Sequence, residues 1–100
     1  MIQNALYVRL EAKPGKEKAV EAFLATGLNF ANSETTTPVW FALRLGTTTF
    51  GIFDAFTDEV SRQTHLEGPI ARALMVNAPE LLAHPPVIER LEVLGAKLPA

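Results

Sequence analysis

Five residues in this 100-residue chain have the types and spacing to do chemistry: Tyr7, Trp40, Arg44, Asp54 and His65. His65 has an ordinary pKa near neutrality, so it could take a proton from a phenolic hydroxyl if it sat over a pocket between a helix and a sheet. The phenolate so formed would be electron-rich enough to reduce dioxygen directly, with no metal or flavin. His65 can equally be a residue of a helix C-terminal turn, favoured there by the helix dipole. Trp40 and Arg44 alternate along one run and share a face. Together they could offer an aromatic wall for a planar ligand and a cation near a developing phenolate. Trp40 can also simply fill a core or an interface. Arg44 can pair with Asp54 across a hairpin, and Tyr7 with its neighbour Arg9 raises the same choice on the first strand. His84, next to Pro85-Pro86, reads as a solvent-exposed loop residue.

Other chemistries lack their residues. The chain has no cysteine, which removes disulfides and thiolate metal sites. Its two histidines, His65 and His84, belong to no His-Glu-x-x-His pattern or carboxylate cluster. Gly15, Gly46 and Gly51 are isolated and form no phosphate loop. No nucleophile elbow is present. The composition is 48% hydrophobic and 20% charged with a net charge of −2, which is globular and unlike a nucleic-acid-binding surface. No apolar run reaches the ~20 residues that span a bilayer. The N-terminus lacks the basic start and apolar core of a signal peptide. These features predict a single soluble cytoplasmic domain over residues 1–100, with no cofactor, no nucleic-acid partner and no membrane partner.

The elements that would position these residues follow from periodicity. Asn4 to Ala12 alternates as a strand, with Leu6, Val8 and Leu10 on one face. Lys13-Pro14-Gly15 ends it. From about Lys16 the period becomes helical, with Ala19, Val20, Phe23, Leu24 and Leu28 in one stripe; Gly27 predicts an end between Gly27 and Ala31. After the polar loop 32–37, residues 38–56 read as a β-hairpin turning at Gly46-Thr47-Thr48. Neither face of this hairpin is polar, so both faces need cover. Thr57-Asp58 caps a helix running towards Leu66. Gly68-Pro69 breaks it and starts a second segment, and Pro79 is expected to start a further turn through Leu82. His84-Pro85-Pro86 forces extended backbone. Val87 to Leu98 is predicted as a long last strand of roughly 40 Å, against ~26 Å for twice the radius of gyration of a compact domain of this size. One end should therefore reach beyond its own subunit.

The order β-α-β-β-α-β, with the second α in pieces, is the ferredoxin-like arrangement with a four-stranded antiparallel sheet, an α+β fold. The uncovered face of the sheet predicts a two-fold homodimer joined through that face and the last strand.

Val8-Arg-Leu-Glu-Ala-Lys-Pro-Gly-Lys16 with the helix after it, Trp40-Phe-Ala-Leu-Arg44, Phe50-Gly-Ile-Phe-Asp-Ala-Phe56 and His65-Leu-Glu-Gly-Pro-Ile-Ala-Arg-Ala-Leu74 resemble the antibiotic biosynthesis monooxygenase-like family over nearly the whole chain. The resemblance implies a dimeric α/β barrel. It also implies a cofactor-independent monooxygenase acting on a small aromatic or quinol-like substrate, or else a non-catalytic dimer that binds a small hydrophobic ligand. His65 is then the expected base, and Trp40, Arg44, Asp54 and Tyr7 the expected substrate contacts. The haem-degrading branch of the superfamily uses an Asn on the first strand and a Trp and a His on the second helical region. Here Asn4 is near its place, but Trp40 lies on a strand and Met75 falls where the histidine should be, so that activity is disfavoured.

Overall fold

The computed structural model describes residues 1–99. The elements are β1 (Asn4–Glu11), α1 (Glu17–Ser33), β2 (Val39–Arg44), β3 (Thr49–Phe56), α2 (Glu59–Leu66), α3 (Pro69–Leu81) and β4 (Val87–Glu92). The strands form one antiparallel sheet in the order β2-β3-β1-β4, which is the ferredoxin-like topology. The helices pack on one face. Val8 and Leu10 of β1 meet Phe50 and Ile52 of β3, Val20 and Leu24 of α1, and Leu74 and Ala78 of α3 in the core, and Leu6 is buried on the same face of β1.

Local chemistry sets most of the boundaries. Pro14 and Gly15 occupy the central positions of the turn after β1, where Gly15 takes φ +84° and Lys16 N–H donates to the Lys13 carbonyl at 2.9 Å. Asp58 caps α2 by accepting from Ser61 N–H at 2.7 Å. Gly68 and Pro69 open α3.

Three boundaries differ from the sequence reading. Helix α1 continues through Gly27 for 17 residues. Gly27 is buried under the Trp40 ring, so tertiary packing offsets its low helix propensity. Pro79 starts no new turn; it lies in the last turn of α3, where it removes one donor and the helix ends two residues later at Leu81. Strand β4 ends at Glu92, well short of Leu98. Its neighbour β1 begins at Asn4, and the last bond between the two segments is Val93 N–H donating to the Gln3 carbonyl at 2.8 Å, after which the chain leaves the ladder.

Candidate functional site

The register decides which candidates meet. Trp40 lies opposite Asp54 and Arg44 opposite Phe50, all on the helix-covered face. Tyr7 lies opposite Phe53 and Glu89, on the other face. The five candidates are therefore divided among a cleft, a buried polar cluster and the open side of the sheet.

The cleft runs between α1 and the edge strand β2 and has a volume of about 490 Å³. Leu24, Ala25 and Leu28 line it from the helix, and Trp40, Leu43 and Phe50 from the sheet. Gly27 lets α1 pack closely on the Trp40 wall: a Cβ there would come within 3.3 Å of the indole ring. Arg44 sits at the cleft with Glu21. Their side chains form an ion pair, and the guanidinium carbon lies 4.8 Å over the Phe50 ring. The anticipated pairing of Arg44 with Asp54 is not formed. Arg44 faces α1, where Glu21 supplies the carboxylate, and the cross-strand register gives Asp54 to Trp40 instead.

Asp54 and His65 meet in the interior. Asp54 is 1% exposed and His65 6% exposed. His65 belongs to the last turn of α2, as its position suggested, but the helix packs it inward against Phe56, ring centroids 5.4 Å apart. Its Nε2 lies 2.9 Å from Asp54 Oδ2 and its Nδ1 lies 2.8 Å from Glu34 Oε1. Thr37 Oγ1 donates to the same Glu34 oxygen at 2.7 Å. Asp54 and His65 border an interior cavity of only about 30 Å³, enough for a single small molecule and not for an aromatic ring. Burial pushes the Asp54 carboxyl up against the opposing pull of His65. Burial pushes the His65 imidazole down, but its hydrogen bonds and charge interactions with Asp54 and Glu34 outweigh this and hold it above its ordinary value. Both directions favour protons within the cluster. The geometry says the same: two short N···O contacts need two shared protons, as in an imidazolium between two carboxylates.

Among the described residues, three buried side-chain polar atoms have no hydrogen-bond partner: Trp40 Nε1, Asp54 Oδ1 and Glu34 Oε2. The first is a donor and the second an acceptor on cross-strand neighbours. Tyr7, half-buried, packs against Gly51 on the far side of the sheet and reaches neither the cleft nor the cluster. Asn4 stands at the start of β1 and Met75 is exposed on α3. Glu34 and Thr37 were not among the residues singled out from the sequence. The available signal was that Glu34 is the single acidic residue of an otherwise Asn, Ser and Thr loop. Among the described residues, no group of three His, Asp or Glu side chains converges as metal ligands. The imidazole ring stands between Asp54 and Glu34 and gives each of them one nitrogen.

Neither a protein-family model nor a curated protein matches the chain. Among solved structures, a protein of unknown function from Nitrosomonas europaea is 60% identical, with 100% of this chain and 97% of that one covered and a TM-score of 0.96. A second Nitrosomonas europaea protein, provisionally named an antibiotic biosynthesis monooxygenase, is 15% identical over 92% of this chain and 90% of its own, with a TM-score of 0.81. A protein with the same provisional name from Caulobacter crescentus is 15% identical over 94% and 92%, with a TM-score of 0.80. The last two share the fold.

Proposed function

The chain belongs to one family with the Nitrosomonas europaea protein of unknown function, and from that premise we propose that it binds a small aromatic, quinol-like molecule in the α1–β2 cleft and oxidises it with dioxygen without a cofactor. The observation that carries binding is the cleft itself: about 490 Å³, apolar, and walled by the indole of Trp40. That volume suits a ligand of one to three rings. The oxidation rests on the provisional names of the two structural neighbours above. Arg44 supports it. A guanidinium beside a phenolic oxygen favours the ionised form, and the phenolate is the electron-rich species that transfers an electron to dioxygen. His65, with both ring nitrogens engaged elsewhere, is given no direct contact with the ligand.

A non-catalytic binder is the second reading. One observation favours it: the charged groups at the cleft, Arg44 and Glu21, already neutralise each other, so no unpaired acid or base faces the ligand. The proposed working form in either case is a homodimer joined through the open sheet face and the chain after β4.

Trp40 is the chain's single tryptophan, so its emission reports on the cleft alone. Metal-free protein is titrated with hydroquinones and anthrone-like phenols while oxygen uptake is recorded, beside Arg44→Gln. Saturable quenching with uptake above the uncatalysed rate, reduced about tenfold or more in R44Q, is expected for the enzyme. Quenching without uptake supports the binder. Neither quenching nor uptake across the panel overturns both.

A further inference from the structure

We propose that Glu34, His65 and Asp54 form a proton-operated strap that fixes the α1–β2 connection to α2 and β3, and with it the wall of the cleft that carries Trp40. The inference requires no ligand, so it fails or stands separately from the proposed function.

Three elements meet at one imidazole. Asp54 reaches it from β3, Glu34 from the segment after α1, and the ring itself comes from α2. The charged side chains that face it are these two carboxylates. Around it Phe56 is aromatic, β1 supplies Leu6, and α3 supplies Ile70 and Leu74. The contacts at 2.8 and 2.9 Å each need a proton between nitrogen and oxygen. A neutral imidazole carries one N–H. Loss of one proton from the cluster therefore turns one contact into a lone pair facing a carboxylate, in a place where little water screens the repulsion.

Glu34 is the partner that gives way. Its side chain is 17% exposed, whereas that of Asp54 is 2% exposed and is fixed in a central strand. Thr37, buried and bonded to the same carboxylate oxygen, moves with it. Glu34 and Thr37 bracket the segment that leads through Pro38 and Val39 to Trp40. Asp54 holds the other side of the same wall as the cross-strand partner of Trp40. Charging of His65 thus closes the wall and discharging loosens it. Since the two carboxylates hold the imidazole above its ordinary value, the strap opens as pH rises past that value, in the alkaline direction.

The test follows His65 by its imidazole NMR signals through a pH titration, with His84→Gln identifying the other histidine. The amide protection factor of Glu34, whose N–H donates to the Ala31 carbonyl at 3.0 Å, and Trp40 emission are read on the same samples. The strap predicts that protection falls about tenfold or more and that emission changes, both with the His65 midpoint. Glu34→Gln keeps an acceptor but removes its charge, and is expected to lower that midpoint by about one pH unit or more. Protection and emission that stay constant while His65 titrates overturn the proposal, as does a midpoint unmoved in E34Q. Should E34Q not fold, the wild-type titration decides alone.

Discussion

Replacing His65 by alanine leaves Asp54 and Glu34 facing a small void, and the buried Asp54 carboxyl loses the imidazole that opposes its burial penalty. Removing one member of a buried, hydrogen-bonded charge cluster costs about 3–5 kcal/mol. Partial access of Glu34 to water places H65A towards the lower end, read as a drop in the urea midpoint with an unchanged m-value. The pH dependence has a definite sign. His65 has a raised folded pKa, so over the interval above its ordinary value the native state holds a proton that the unfolded chain has lost. The stabilisation is fully present below the ordinary imidazole value and fades as pH rises through the higher folded one. Wild-type stability should therefore decline over that interval, and H65A should flatten the decline; a wild type that gains stability there would contradict the assignment. From the sequence, Asp54 and His65 were each legible as groups able to do chemistry. Their union was not, because no local pattern links a hairpin carboxylate to a helix eleven residues later. Glu34 was harder still: it lies 31 positions from His65 in a loop whose composition reads as solvent-exposed.

At the scale of elements, hydrophobic period and turn residues sufficed wherever structure is local. The Pro14-Gly15 turn, the hairpin, the Asp58 cap and the Gly68-Pro69 break all lie where side-chain chemistry puts them. Boundaries decided by contact between elements were misplaced. Gly27 is the clearest case, since a residue that weakens an isolated helix is what lets α1 approach Trp40. Gly27→Val tests this. Valine would fill space the indole already occupies, and overpacking of this kind costs about 1–3 kcal/mol. The displaced ring should show red-shifted emission, whereas an unchanged spectrum would mean that α1 does not seat the indole. Asp58→Ala probes a purely local device and should cost about 1 kcal/mol in thermal or urea unfolding, leaving Trp40 emission unaltered.

For the whole molecule, the open face of the sheet sets the problem. Phe41 is 53% exposed and stacks on Phe53, ring centroids 6.5 Å apart; Val39 and Leu43 flank it on the same face, and Tyr7 lies beside Phe53 on β1. The helices cover the opposite side and leave these residues without a second layer. Beyond β4 the chain leaves the sheet with Leu94 92% exposed. An apolar face and an apolar tail are what the homodimer proposed above requires, since a two-fold pairing would bury the same face of both copies. Light scattering at micromolar concentration should give twice the chain mass. Phe41→Glu would place a carboxylate at the centre of that contact without touching the helix-side core. It should weaken association by about 2 kcal/mol or more, roughly 30-fold in Kd, and leave the monomer folded by circular dichroism. A monodisperse wild-type monomer would mean that this face meets water directly, and the two-sided apolar hairpin would then need another partner to explain it.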